Sequence, residues 1–426
     1  MHEAALARPG VAARPRASFG LKIILIVMAL SLTWDAIGDF VYLVRITLWS
    51  GVAQLYAVMN AVSIALMVLT VAGGFLYTML STRPISTNQA VANLGFFYLL
   101  AIGIASALVH HNHFGRPFIG QLYYWVTMFL SLNIGMGVQW SRAASVRVEK
   151  LIARASWMIV AFGAAGYLAI EGFRRIYGAE LWAGYPAEQF LLPLAHYGRQ
   201  RRWKMMMLTF ALIVITGKRG PLAGAVVILL FVVSRGRVLL AIVPVVLLAI
   251  FVANGAVILH DVVESGWIDP ESVVGRPLMK WYLMSENVDI DVTQATAGRN
   301  IEIGETMKLM ESSTEWVMGR GYGWFFFWPS DPDPYHYVHL SYWNYIVTYG
   351  LVGAIPMILL IFTGGFRCWR ASLHPAADPL LREIVIFMAG FLTVSLSANL
   401  LSIYVVFWIL FGIGLQLASA TPKERW

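Results

Sequence analysis

The sequence predicts an all-α protein, a polytopic transmembrane helical bundle of about twelve spans with one long extracytoplasmic loop carrying short helices. Three observations lead there. Hydrophobic residues make up 59% of the 426 and charged residues only 13%, with a mean hydropathy of +0.68; a water-soluble domain has about 25% charged residues. Apolar runs near bilayer-crossing length recur, separated by short polar stretches, without the ~10-residue alternation of a membrane barrel. Lys and Arg gather in alternate connections, as they do in cytoplasmic loops.

The basic N-terminus (Arg8, Arg14, Arg16, Lys22) precedes an apolar run that continues into "SLTWDAIGDF" with no small-residue cleavage site. It reads as an uncleaved first span, 20–42, entered from inside. Further spans are 57–80, 91–109, 118–140, 153–171, 185–198, 203–217, 221–235, 237–258, 338–366, 383–398 and 400–418. The sixth, "YPAEQFLLPLAHYG", is short and fixes the parity of everything after it. Keeping it leaves "SRAASVRVEKLIAR", "RQRRWK", "SRGR", "RCWR" and "TPKERW" inside, all rich in cations.

The chain then divides into N-terminal membrane helices (1–258), an extracytoplasmic loop (259–337) and C-terminal membrane helices (338–426). The loop holds most of the 23 acids. The net charge of +8 follows from basic inner loops and calls for a lipid bilayer, not nucleic acid. The one cysteine, Cys368, excludes an intramolecular disulfide. No internal repeat is evident, which weakens a two-fold transporter.

Cations on the predicted outer side are the first candidates for chemistry. "TGKRGP" (216–221) is a tight outer turn presenting Lys218 and Arg219 at a helix N-terminus, a setting that favours an anion. It also fits a solvated corner whose cations reach lipid headgroups. Arg299 lies near the start of a helix predicted from Thr296, where a cation opposes the dipole unless an anion is present. Pairing with a loop acid is the other reading. In "MGRGYGW" (318–324), three glycines permit unusual backbone angles, and Tyr322 and Trp324 offer faces for a sugar or for the membrane interface.

His339 opens "HLSYWNYIVTYGLVG". If 339–353 is helical, His339, Tyr342, Trp343, Ile346, Gly350 and Gly353 share a face, with the glycines allowing close packing. An imidazole at that N-terminal end, near arginines, has the properties of a general base; an interfacial polar residue is the alternative. "HHNHFGR" places His110 and His113 without a carboxylate, a poor zinc set, and adds Arg116 as a further cation. "DPDP" (331–334) reads as a turn. Asp35 and Asp39 suit a proton relay or a cavity mouth.

These segments resemble the O-antigen ligase and polysaccharide polymerase superfamily. Thr216-Gly217-Lys218-Arg219-Gly220 matches its small-residue turn, Gly298-Arg299 with Gly319-Arg320-Gly321-Tyr322-Gly323 its arginine loop, and His339, Tyr342, Gly350, Leu351 and Gly353 its histidine signature. Lys218 stands where a serine is usual, Leu340 where an asparagine follows the histidine, and Ile303 near a common tryptophan.

The resemblance implies transfer of a glycan from a polyprenyl-diphosphate-linked donor to an acceptor glycan or glycolipid hydroxyl. The setting would be the outer face of a bacterial cytoplasmic membrane, with no cofactor and no metal. His339, Arg219 and Arg299 would be catalytic; Lys218, Arg320, Tyr322, Tyr342 and Arg116 would bind substrate. A polymerase, with room for a chain-length regulator, is the reading adopted, ahead of a ligase to a lipid A core. A glycan-lipid flippase or secondary transporter, and an envelope scaffold, are the rivals from other classes. Clustering of the distinctive charges beside the outer loop, away from the bilayer midplane, favours surface chemistry.

Overall fold

The computed structural model describes residues 21–33, 86–112, 114–138, 140–177, 187–216, 218–234, 299–328, 334–335, 337–402 and 404–420, with scattered positions between 61 and 76. These residues are mostly helical. In chain order the helices are α1 (Leu21–Thr33), α2 (Thr87–Val109), α3 (Arg116–Gly137), α4 (Arg142–Tyr177), α5 (Leu191–Arg199, led by a 3-10 turn at Glu188–Phe190), α6 (Trp203–Ile215), α7 (Arg219–Val233), α8 (Arg299–Met307), α9 (Ser313–Met318), α10 (Ser341–Ser372), α11 (Pro379–Ser395) and α12 (Val405–Ala420). A two-residue antiparallel pair, β1 (Phe326–Phe327) with β2 (Pro334–Tyr335), lies between α9 and α10.

Three stretches, Thr87–Val109, Arg142–Ala169 and Ser341–Ser372, are long and apolar enough to cross a membrane. Most of the predicted span 57–80, all of 237–258, most of the first span's second half, and the loop up to residue 298 lie outside the described residues, as do Asp35, Asp39 and His113.

One end of the bundle is held by polar ties between helix termini. Arg142 of α4 meets Asp378 at 3.0 Å, and Arg199 of α5 meets Glu383 of α11 at 2.5 Å. Asn88 of α2 donates to Ser419 of α12, and Arg367 of α10 donates to Asn88. Arg382 caps the C-terminal carbonyls around Ser372 and His374, where a cation suits the helix dipole. With Arg201, Arg202, Lys204 and Arg370 nearby in sequence, this is the basic end.

Helix length then shapes the opposite end. From that common base, α2 (23 residues) and α3 (22 residues) rise about 35 and 33 Å, while α6 (13), α7 (15), α11 (17) and α12 (16) rise only about 20 to 26 Å. The short helices stop below the roughly 30 Å that a bilayer core requires. Their ends form a ledge made of the 216–220 turn, the buried 399–402 break between α11 and α12, and the chain entering α10. Gly220 sits so close to Ser397 that a Cβ there would lie 2.3 Å from the serine Oγ. Ser341 Oγ donates to Ala398 O at 2.8 Å.

In place of the sixth predicted span, 185–198, stands a short buried helix: Leu191 to Gly198 are all buried. Glu188 meets Lys218 at the ledge, and Arg199 meets Glu383 at the basic end.

The expected continuous helix from His339 needs correction. Leu340 is the extended N-cap and the first helical residue is Ser341, because Asn344 Oδ1 takes the Val338 N–H and Glu302 takes the His339 N–H. Gly350, expected to permit close packing, does so against the Val317 and Gly319 backbone, and it also breaks the helix with φ 61°, a region only glycine enters cheaply. The carbonyls freed there, Val347 O and Thr348 O, accept from the Arg320 and Gly321 N–H groups at 2.7 and 3.0 Å. Tyr342 and Phe362 rings lie 6.2 Å apart, although twenty residues of straight helix would separate them by about 30 Å. The kink therefore turns the first arm of α10 back along the second, and residues 351–372 alone still rise roughly 33 Å.

Candidate functional site

The first arm of α10 carries its entering chain, with His339, against α8. Glu302 of α8 is the hub. Its carboxylate, 2% exposed, contacts His339 Nδ1 through Oε1 and accepts the His339 backbone N–H through Oε2 at 3.2 Å. Arg299, one turn earlier on α8, brings Nη1 to 3.6 Å from the same Oε1. Burial of a carboxylate is costly unless charge and hydrogen bonds compensate it; here a guanidinium, an imidazole and a backbone N–H do so.

The arrangement is braced from behind. Trp343 Nε1 donates to Thr306 Oγ1 at 2.8 Å, and Thr306 Oγ1 donates to Glu302 O at 2.6 Å. Trp316 of α9 packs edge-on against Trp343. Tyr337 stands over His339 with ring centroids 5.4 Å apart. Burial pushes its phenol pKa up, and the nearby Glu302 charge adds to that while Arg299 opposes it.

A carboxylate on Nδ1 fixes the imidazole tautomer: Nδ1 keeps its hydrogen and Nε2 becomes the acceptor. The His339 side chain is 38% exposed and that of Arg299 28%, so both reach solvent while Glu302 does not. The cluster can take a proton at Nε2 and can hold an anion at the guanidinium.

Of the residues singled out by sequence, Arg299 and His339 are brought together. Arg219 is placed by its backbone at the N-terminus of α7, on the ledge with Ser397 and hence with the entry to α10; its side chain lies outside the described residues. Lys218 shares the ledge, and its Nζ is 3.6 Å from Glu188. Tyr342 accepts a hydrogen bond from Ser395 at 3.1 Å, at the foot of the same arm. Arg116 is exposed at the start of α3, and no contact among the described residues joins it to Glu302 or His339.

Two expectations fail on burial. Tyr322 and Trp324 are 0% and 2% exposed, so they are core residues and not open stacking faces. Tyr322 packs edge-on to Phe118 and Tyr349, and Trp324 donates to Thr348. Arg320 is committed to Glu315, which also closes a capping box on Ser312 and lies 3.9 Å from His110 Nδ1. That side chain secures the 319–323 loop, whose carbonyls at Arg320 and Tyr322 also take both Asn112 hydrogens.

Glu302 is the residue that sequence reasoning missed. Its only signal is position, three residues after Arg299 on a helix, among many loop acids with no way to rank them.

No protein-family model matches the chain, and no curated protein matches it. The described residues form a mostly helical chain with three helices long and apolar enough to cross a membrane and an arginine–glutamate–histidine cluster near the ends of its short helices.

Proposed function

We propose that the chain is a membrane glycosyltransferase that moves a glycan from a polyprenyl-diphosphate carrier to an acceptor sugar hydroxyl, in the manner of a surface-polysaccharide polymerase. The observation that carries this reading is Glu302 joining Arg299 and His339, residues forty positions apart, into one partly exposed cluster. The motif resemblance in three separate segments supports it further.

The chemistry balances without a covalent intermediate. The acceptor hydroxyl gives its proton to His339 Nε2 as its oxygen bonds the anomeric carbon. The bond from that carbon to the carrier diphosphate breaks, and the anomeric centre inverts. Charge growing on the departing diphosphate is met by Arg299 and by Arg219 from the ledge, guanidinium being suited to phosphate oxygens. Glu302 stabilises the imidazolium that forms.

The basic end is read as cytoplasmic, because membrane proteins concentrate Lys and Arg on that side. The ledge then opens outward at the cytoplasmic membrane of a bacterium, within reach of a carrier lipid in the outer leaflet. Purified protein supplied with radiolabelled lipid-linked glycan should consume it and release carrier diphosphate. Arg299→Ala and Arg219→Ala should each abolish product while remaining in the membrane; normal product from either variant rules the assignment out.

A further inference from the structure

A second candidate site lies at the other end of the molecule and is independent of glycosyl transfer. Between α2, α3, the second arm of α10 and α12, a groove opens with walls from Val91, Leu132, Leu360 and Leu415 over a Phe411 floor, and it ends at Asn88 and Arg367. Val91 is 58% exposed, so the trough is open along its side.

Arg367 is the cation that lines this groove. Arg142 and Arg199 at the basic end are spent on Glu149, Asp378 and Glu383. Arg367 donates Nη1 to the neutral Asn88 Oδ1 at 3.0 Å, and Asn88 is itself tied to Ser419 at 2.8 Å. Among the described residues no carboxylate lies within ion-pair distance of it. A guanidinium with uncompensated charge is thus steadied by an amide at the head of a hydrocarbon-lined trough.

We propose that this groove binds one acyl chain of an anionic phospholipid, whose phosphate is held by Arg367. The walls select hydrocarbon, the guanidinium selects phosphate oxygens, and a net negative headgroup matches a cation that no acid neutralises. Basic pockets between membrane helices on the cytoplasmic side are suited to such headgroups. A zwitterionic lipid offers the same phosphate but brings its own cation to the arginine.

Native mass spectrometry of the purified full-length protein tests this, using phosphatidylglycerol and phosphatidylcholine with identical chains. One retained lipid is expected, with phosphatidylglycerol favoured roughly fivefold, the worth of one arginine beside an anionic headgroup. Arg367→Gln should bring retention of the two lipids level. Val91→Trp, which keeps the arginine and fills the trough, should displace both. Equal retention by the unaltered protein, or a preference unchanged in Arg367→Gln, overturns the proposal. If Arg367→Gln does not fold, Val91→Trp decides: undiminished phosphatidylglycerol retention then overturns it.

Discussion

Among the described residues a glutamate joins a histidine and an arginine three times, at Glu302, Glu315 and Glu383, and the first and last differ in what they leave open. On α8 and the entry to α10, His339 and Arg299 share Glu302, with His339 38% exposed. At the basic end, His196 Nδ1 meets Glu383 at 2.7 Å and Arg199 meets it at 2.5 Å, with His196 and Glu383 both 1% exposed. The second ring nitrogen separates them further. Gln200 donates to His196 Nε2 at 3.0 Å, so that ring has both nitrogens engaged and fastens α5 to α11. Carboxylate orientation alone does not make a base; an oriented ring with a reachable nitrogen does.

Exchanging the two glutamates should separate reactivity from stability. Glu383→Ala leaves the buried His196 without its Nδ1 partner and Arg199 with Glu149 alone, a loss of about 3 kcal/mol. It should appear as a lower melting temperature and a poor yield of monodisperse protein. Glu302→Gln keeps the shape of a side chain whose partners still reach solvent. It should leave melting within a few degrees and lower turnover by roughly 10², within the range a general base supplies. A large melting drop in Glu302→Gln would make the Glu302 cluster structural like the Glu383 one.

A smaller, pH-dependent effect belongs to the loop beside the site. Burial, then Arg320, lowers the pKa of His110 from its ordinary 6.5. Burial pushes Glu315 upward, but the Ser312 N–H and Arg320 outweigh it and leave its pKa below 4.5. Both groups bind protons more readily in the unfolded chain, so stability is lost as pH falls. The loss begins near pH 6.5 through His110 and continues below about 4.5 through Glu315. Trp324 fluorescence during acid titration should report both steps, with His110→Gln removing the first; a flat response between pH 7 and 5 in the unaltered protein contradicts the assignment. Smallest of all, Lys218→Met should change turnover less than about tenfold, since Glu188 already offsets a charge on an exposed turn. Loss equal to that of Arg299→Ala would make Lys218 a principal anion ligand.

Apolar run length made most of the described long helices legible, because a helix that is greasy on every face reads as one unbroken apolar stretch. It could not reveal that α10 doubles back. Gly350 is one of 37 glycines, and what demands its φ is the Val317–Gly319 backbone lying against it, a contact between distant segments. The aromatic loop was misread for a related reason: Tyr322 and Trp324 look interfacial beside polar residues, yet Gln121 and Thr348 satisfy the loop's polar groups and let it pack inward. Arg299 and His339 were legible as cations and bases out of place, whereas Glu302 became distinct only once its burial was known.

The central claim is that Glu302 and His339 act as one unit in proton removal. Turnover of lipid-linked glycan by His339→Ala, Glu302→Gln and the double variant measures this directly. If they form a unit, His339→Ala loses about 10²–10⁴ and adding Glu302→Gln costs nothing further, since groups acting together are non-additive. Multiplying losses in the double variant, or a His339→Ala rate within a few fold of the unaltered protein, would contradict it.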